Sequence, residues 1–231
     1  MGDPAGQSRA PSATTDPQGH GVRWVGAQRD VLAGDTTGHV DLVTLSALPN
    51  LYALGPLEGV RGEVSIFESV PSIARIANDA VVTTATWQER ACFLVWAQVP
   101  SWHERTVEVA TSLDRLEQEV VALARGQGLD PGAPFPFRVA GLASRAVLHV
   151  LDKRDGLPHT PERHEQAKVR RELEDTAVEL IGFYSPRHHG VFTPKESNVH
   201  VHVRTVDRRT SGHLEAIRLL PGARIGVPPR G

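Results

Sequence analysis

The chain has 231 residues, enough to bury one sizeable hydrophobic core. Its 25 basic and 27 acidic residues give a formal net charge of −2, so no overall field attracts nucleic acid or an anionic membrane, and neither is expected as a partner. The single cysteine, Cys92, lies in the apolar run 91–99, which excludes a disulfide framework and is typical of a protein from the reducing cytoplasm.

The N-terminal region is predicted to begin with a disordered tail over residues 1–21. These residues are rich in Gly, Pro, Ser, Thr and Asp and have no apolar stretch long enough for a secretory signal or a membrane span. A single folded domain is expected over residues 22–231. Its first helix is predicted to begin at Asp35 or Thr36 and to end before Pro49.

The middle of the chain predicts an N-terminal sheet with one secure helix. Residues 51–99 contain short β-rich runs separated by Gly, Pro and Asn-Asp. Residues 111–128 have apolar side chains at helical spacing, a Thr-Ser pair that can cap the start and glycines that can end the helix. We expect this helix to pack on the preceding strands, so that the sheet and its helix occupy about residues 50–130.

The second half of the chain predicts a C-terminal sheet over about residues 135–228. The run 138–152 alternates well enough to be a strand, whereas 168–185 has a charged first half of helical composition and a second half that favours β structure. Three further β-like runs complete the chain. The predicted fold is therefore α/β or α+β, a two-sheet, β-rich body with mixed or antiparallel strands and a few helices.

A polar connection separates the two long segments of this second half. Residues 152–166 are mostly charged or polar and contain two prolines, which predicts an irregular loop. His159 and His164 lie within this loop and are expected at the surface.

Three histidines in residues 197–213 predict a metal site. In an extended strand His200 and His202 point to the same face, and a hairpin return with Gly212 can bring His213 beside them. Three imidazoles with an open fourth position are typical of catalytic Zn²⁺, although Fe²⁺, Mn²⁺, Ni²⁺ and Cu²⁺ also accept imidazole ligands. The alternative is that these histidines are polar side chains on the solvated face of a strand.

The sequence resembles the acetolactate decarboxylase family over roughly residues 50–228. The segments that carry the resemblance, in the family's order and at about its spacing, are GPLEGVRGEVSIFES, FPFRVAGLASRAVLHV, IGFYSPRHHGVF and NVHVHVRTVDRRTSGHLEAI. The resemblance implies a two-sheet fold, a homodimer, zinc held by His200, His202 and His213, and conversion of 2-acetolactate into acetoin and CO₂.

The resemblance also implies roles for residues outside the three histidines. Glu63 occupies the place of the family's active-site glutamate, a metal ligand or proton carrier, although an ordinary exposed glutamate on a strand is the alternative. His149 stands where the family has an arginine that grips the substrate carboxylate, with Arg145 on the same face of the strand. His188 and His189 are candidates for the mouth of the site or for binding a substrate acid, with plain loop residues as the alternative.

Several departures from the family pattern bear on the predicted reaction. Besides His149 in place of arginine, Pro56 replaces a threonine, and the acidic C-terminal segment is expected to be missing after Gly231. The predicted function is a cytoplasmic zinc-dependent decarboxylase of a small 2-hydroxy-3-oxo acid, acetolactate or a relative. The alternatives are another enediolate reaction in secondary metabolism and a non-catalytic metal-binding or small-molecule-binding module.

Overall fold

The N-terminal part of the chain forms a seven-stranded sheet and a separate two-stranded pair. In the computed structural model, which describes residues 12–17 and 19–230, the strands are β1 Thr14–Thr15, β2 Arg23–Val25, β3 Val40–Asp41, β4 Leu51–Pro56, β5 Glu63–Phe67, β6 Val70–Ala77, β7 Ala80–Thr84, β8 Arg90–Ala91 and β9 Leu94–Gln98. The large sheet has the order β1-β2-β9-β4-β5-β6-β7, and β3 pairs with β8. The short helix α1 Gln28–Leu32 follows β2.

The C-terminal part forms a second seven-stranded sheet. Its strands are β10 His103–Thr106, β11 Thr111–Ser112, β12 Phe135–Leu151, β13 Lys168–Tyr184, β14 Val199–Thr205, β15 Ser211–Leu219 and β16 Arg224–Val227. The order is β10-β16-β12-β13-β14-β15-β11, and β15 pairs additionally with the second half of β12. Strands β12 to β15 therefore close into a ring. Helices α2 Leu113–Gly126 and α3 Pro161–Gln166 complete the part of the chain that the structure describes.

The two sheets meet through β5, which contacts β15. Alternation along β5 directs Glu63, Ser65 and Phe67 to one face and Val64 and Ile66 to the other. The valine and isoleucine join a hydrophobic cluster within the first sheet. The opposite face, with its carboxyl and hydroxyl groups, is turned to the second sheet, and the candidate site lies at this junction.

Helix α2 is confirmed, but its packing partner differs from the expectation. Ser112 caps the helix by accepting a hydrogen bond from the amide of Arg115 at 3.4 Å. Its buried residues Leu116, Val120 and Leu123 join the core of the second sheet. The apolar stripe correctly predicted that one face of the helix is buried. The helix packs on the C-terminal sheet because the strands that precede it, β10 and β11, belong to that sheet.

The boundary between the sheets is therefore earlier in the chain than predicted. The first sheet ends with β9 at Gln98, not near residue 130, because residues 103–126 pair with or pack on the second sheet. The predicted disordered tail is also partly ordered, since Thr14 and Thr15 pair with the β2 strand. Residues 1–11 and 18 lie outside the described residues.

Two local predictions are wrong. The helix expected after Asp35 or Thr36 is replaced by strand β3 and a single 3-10 turn over Leu42–Leu45, because Val40 and Leu42 are both fully buried at strand spacing. The polar loop expected over 152–166 contains helix α3. Thr160 caps that helix, and Pro161 occupies its first turn.

The charged half of the segment 168–185 is strand rather than helix. Strands β12 and β13, of 17 residues each, pair along their length, from Lys168 opposite Leu151 to Tyr184 opposite Phe135. The ladder supplies the backbone hydrogen bonds, and tertiary pairing thus overrides the helical propensity of the charged residues. Among the described residues, the structure has no helix that is both long and apolar enough to cross a membrane.

Candidate metal centre and pocket

Three histidines meet where β14 runs beside β15. His202 lies directly opposite His213 in the register of these strands, and His200 is two residues earlier on the same face of β14. One ring nitrogen from each of the three lies within 4.8 Å of the others. His200 and His202 are buried, so the alternative of solvent-facing strand histidines is wrong. The intervening valines Val199, Val201 and Val203 join the core on the other face.

The ring orientations are fixed by neighbours that accept or donate one hydrogen bond each. His200 Nδ1 lies 2.9 Å from the carbonyl oxygen of Phe192, so it donates, and its Nε2 then faces His213 Nδ1 at 3.0 Å. His202 Nδ1 lies 2.9 Å from the hydroxyl oxygen of Ser65 on β5. Such partners fix the tautomer and orientation of metal-binding histidines.

The histidine cluster fits a tetrahedral metal ion. Ligand nitrogens at 2.0–2.1 Å from a tetrahedral zinc are about 3.3 Å apart, a separation that lies between the 3.0 Å found for His200 and His213 and the 4.8 Å limit of the group. His202 Nε2 is buried and has no hydrogen-bond partner among the described residues. A buried acceptor without a partner is costly unless something else binds it. The donor set, three imidazoles, suits Zn²⁺ and its neighbours in the first transition row.

Burial keeps these imidazoles neutral. Desolvation lowers the pKa of His200 to about 4 and the pKa values of His202 and His213 well below the usual range. Repulsion between the clustered rings acts in the same direction. Their lone pairs are therefore available at neutral pH, as metal binding requires.

Glu63 lies beside the histidines at the start of β5. Its Oε2 is 3.8 Å from His202 Nε2, and its Oε1 has no hydrogen-bond partner among the described residues. The side chain is 2% exposed, so the alternative of an exposed glutamate is wrong. Desolvation raises its pKa well above the ordinary value, although a backbone hydrogen bond from Leu151 and the charge of Lys168 oppose the shift. Burial therefore favours the protonated form of Glu63 over a wider pH range than for an exposed glutamate.

The cluster opens into a pocket of about 130 Å³. Its polar lining comes from Gln28, Glu63, His149, His164, Lys168, His200 and His213. Its apolar lining comes from Val31, Pro56, Phe93, Leu151 and Pro194. Drug-sized ligands occupy pockets of about 300 Å³ or more, so this one suits a molecule of a few carbon atoms.

His149 lies on β12, directly opposite His213 on β15. The two rings stack with their centroids 4.5 Å apart. Glu215 is the extra residue of a β-bulge in β15, and its carboxylate accepts hydrogen bonds from His149 Nδ1 at 2.9 Å and from Arg170 Nε at 2.8 Å. The bulge thus fixes the ring of His149 at the pocket wall.

The other predicted substrate-binding residues do not line the pocket. Arg145 is exposed and forms an ion pair with Glu172. Four residues of extended strand separate it from His149 by roughly 13 Å, so it lies away from the pocket. His188 stacks on Phe192, with ring centroids 4.7 Å apart.

His188 and its neighbour organise the loop after β13 instead. His188 also meets the ring of Trp24, and its Nδ1 lies 2.7 Å from the hydroxyl oxygen of Ser185. His189 is exposed and lies 2.8 Å from the side-chain oxygen of Asn198. By holding Phe192, this loop supports the carbonyl group that orients His200.

Sequence reasoning missed three polar residues of the pocket, Gln28, His164 and Lys168. The expectation that His159 and His164 lie at the surface is wrong, since His159 is buried, with Nε2 3.2 Å from His164 Nδ1, and His164 reaches the pocket. The Thr-Pro pair at Thr160 was the available signal, because it marks the start of helix α3, which brings this segment back to the site.

Comparisons with known proteins identify the class of fold. No protein-family model and no curated protein sequence matches the chain. The solved structures that share the fold include two acetolactate decarboxylases and a third protein similar to them. The α-acetolactate decarboxylase from Bacillus subtilis strain 168 matches with a TM-score of 0.74 and 14% identity, over 88% of this chain and 84% of that chain. The acetolactate decarboxylase from Bacillus subtilis subspecies spizizenii matches with a TM-score of 0.76 and 14% identity, over 90% and 85%.

The third structure comes from Staphylococcus aureus and is described as a protein of unknown function similar to alpha-acetolactate decarboxylase. It matches with a TM-score of 0.72 and 14% identity, over 88% of this chain and 83% of that chain. The chain therefore has the acetolactate decarboxylase fold, as its sequence resemblance predicts. At this identity the likeness establishes the fold, and the roles of individual residues rest on the geometry of the site.

Proposed function

We propose that this protein is a metal-dependent carboxy-lyase that acts on a small 2-hydroxy-3-oxo acid, either acetolactate or a close relative. The observation that carries the proposal is the convergence of three imidazoles within 4.8 Å of one another, next to the buried carboxyl group of Glu63 and a small pocket. The shared fold with two acetolactate decarboxylases supports the same reaction class.

In this proposal His200, His202 and His213 hold a divalent ion, with zinc the first candidate. When bound, the ion supplies Lewis acidity to the hydroxyl and ketone oxygens of the substrate. The protein's contribution is orientation. The carbonyl of Phe192 holds His200 and the hydroxyl of Ser65 holds His202, so two of the rings are set before the ion arrives.

Glu63 is the proposed proton carrier. Loss of CO₂ leaves a carbon that must gain a proton, and the raised pKa of Glu63 favours the acid form of a carboxyl group whose Oε1 has no hydrogen-bond partner among the described residues. Its burial excludes bulk water, and its Oε2 lies 3.8 Å from Nε2 of His202, one of the proposed metal ligands. The apolar wall formed by Phe93 and Leu151 lowers the local dielectric, which favours release of CO₂ from a carboxylate.

A non-catalytic metal-binding or small-molecule-binding module is the second candidate. Two departures that the family resemblance implies favour it: Pro56 replaces the family's threonine and His149 its arginine, and both residues line the pocket. This candidate predicts a bound ion without release of CO₂.

The deciding experiment has two parts. Protein purified without a nickel column is analysed for metals, and one divalent ion per chain is expected. Racemic acetolactate is then supplied and acetoin is measured, with His213→Ala as the variant that should lose both properties. Absence of the ion would remove the proposal, and an ion without acetoin formation would favour the binding module.

We further propose a homodimer in the cytoplasm. The dimer follows from the family resemblance, and the compartment from Cys92, whose buried thiol forms no disulfide. Light scattering on the purified protein would show the dimer as a mass of twice 25.1 kDa. A monomeric mass would contradict the first part of this proposal.

A further inference from the structure

A cluster of fixed charges lies beside the pocket, and one of its residues, Lys168, lines the cavity. Lys168 and Arg170 on β13 lie next to Glu165 at the end of α3 and Glu215 on β15; we call these four residues the charged wall. Of the described residues that line the pocket, Lys168 alone has an ammonium or guanidinium group. It is the first residue of β13 and pairs in register with Leu151, which also lines the pocket.

We propose that Lys168 binds the carboxylate of the small acid that occupies the pocket, taking over the role of an arginine. This inference rests on the proposed function, since it names the residue that would select an anionic substrate at that site. Lys168 is a binding residue in this proposal, and no bond forms or breaks at its side chain.

The other cationic side chains considered for this role already have partners outside the pocket. Arg145 is exposed and pairs with Glu172. Arg170 is held between Glu215 and Glu165 and does not line the pocket. The ring of His149 is bonded through Nδ1 to Glu215 and stacked on His213, so it offers a substrate at most one nitrogen.

Lys168 retains the capacity for a further partner. An ammonium group has three N–H donors. Its nitrogen lies 2.7 Å from Glu165 Oε2, which uses one donor, whereas Glu215 Oε1 at 4.0 Å is beyond hydrogen-bond range. Glu165 is more than half exposed, so water weakens its hold on the lysine. Two donors are thus left for a ligand in the pocket.

The position of the ammonium group relative to the histidines suits a chelating hydroxy acid. Lys168 lines the same pocket as Glu63, His200 and His213. An acid that turned its hydroxyl and ketone oxygens toward the three histidines would have its carboxylate one carbon away. The flexible stem of lysine can follow that carboxylate, where an arginine would demand two-pronged geometry.

The inference also assigns a preference between acid and product. The carboxylate leaves as neutral CO₂, and the product that remains has no charge for Lys168 to bind. Lys168 should therefore favour entry of the acid over retention of the product. Its loss should act on KM more than on kcat.

The test uses two probes that cannot lose CO₂ in the assay, namely 2-hydroxy-2-methylpropanoate, which has a hydroxyl and a carboxylate, and acetoin, which has a hydroxyl and a ketone but no charge. Zinc-loaded protein is titrated with each probe in a calorimeter. We expect Lys168→Gln to weaken binding of the hydroxy acid about 10- to 100-fold, the worth of a charge-assisted hydrogen bond, and to change the affinity for acetoin less than about twofold.

Two further variants and one spectrum serve as controls. Lys168→Arg should keep most of the affinity for the acid, and Lys195→Gln, which removes the same charge from an exposed position outside the pocket, should change neither affinity. The visible spectrum of cobalt-loaded Lys168→Gln should equal that of the unchanged protein, which shows that the histidine cluster is intact.

The inference fails if Lys168→Gln binds the hydroxy acid as tightly as the unchanged protein, if it loses both probes equally, or if the unchanged protein binds neither. The proposed function fails in a different way, when zinc-loaded protein binds both probes but releases no CO₂ from acetolactate. In that case Lys168 remains the anion-binding residue of a binding module.

Discussion

The two sheets contribute different chemistry to the same site. The C-terminal sheet supplies the three histidines from neighbouring strands that pair directly, as well as the charged wall. The N-terminal sheet supplies Glu63 and Ser65 from β5. The comparison teaches that the proposed metal binding and the proposed proton supply depend on different parts of the structure. One depends on a hairpin, the other on docking of the two sheets.

The largest effect should follow from breaking the metal-binding side. His213→Ala removes one of three ligands, and we expect loss of the stoichiometric ion and a fall of any lyase activity to background. Elemental analysis and acetoin formation measure the two losses. His103→Gln, at an exposed histidine on β10, is the matched control. A His213→Ala protein that kept its ion would contradict the three-histidine centre.

Breaking the proton supply should leave the ion in place. Glu63→Gln is nearly isosteric and removes the proton, so kcat should fall about 10²- to 10³-fold while metal content stays at one per chain. Because burial raises the pKa of Glu63, the acid form persists to higher pH than in an exposed glutamate, and activity should decline as pH rises through that raised value. A metal-loaded Glu63→Gln protein with unchanged kcat would remove Glu63 from the reaction.

Acid should destabilise the metal-free protein through the C-terminal sheet. The pKa of His200 is about 4 in the folded state against 6.5 in the unfolded chain, so its contribution is present above pH 6.5 and lost as pH falls toward 4. The loss is on the order of 3 kcal/mol in the free energy of unfolding. Denaturant unfolding of metal-free protein at pH 7 and pH 4.5 measures it. Equal stability at both values would contradict the burial of a neutral ring.

The contact between the sheets can be tested at Ser65. Ser65→Ala removes the hydrogen-bond partner of His202 Nδ1, and we expect zinc affinity to fall about 10-fold, as for other second-layer partners of metal ligands. Ser72→Ala is the matched control, because Ser72 bonds Ser211 across the same junction at 3.1 Å without touching a histidine. Competition with a zinc chelator gives both affinities, and equal effects of the two changes would deny Ser65 a specific role.

The smallest effect is expected at Arg145, which sequence reasoning placed near the substrate. Its guanidinium group is exposed and paired with Glu172, so Arg145→Gln should change KM less than twofold and the free energy of unfolding by no more than about 0.5 kcal/mol. Steady-state kinetics with acetolactate would show it. A large rise in KM would indicate that Arg145 contacts the substrate carboxylate, which would contradict binding in the pocket lined by Lys168.

Local patterns in the sequence were enough to predict the metal-binding side. The spacing of His200 and His202 set both rings on one face, and a short return brought His213 beside them, because the period of a strand is two residues. Glu63 was predicted from the family resemblance, and its burial could not have been inferred from its neighbours alone.

Long-range pairing explains what the sequence could not predict. Lys168 lies in a charged run of helical composition, and its position at the pocket follows from the pairing of β13 with β12, where it lies opposite Leu151. The apolar stripe of α2 marked a buried face without naming the sheet that covers it. Arg145 shares its strand face with His149, but the distance along the strand separates them.

The bulge at Glu215 has a consequence for how substrate preference can change. A single inserted residue in β15 aims one carboxylate at both His149 and Arg170, while the backbone of β15 still pairs with β14 beyond it. Deleting that residue would restore the ordinary alternation and remove the carboxylate that bonds His149 and Arg170, with the three histidine positions preserved. A deletion of one codon at this bulge could thus change substrate selectivity without altering the three-histidine cluster.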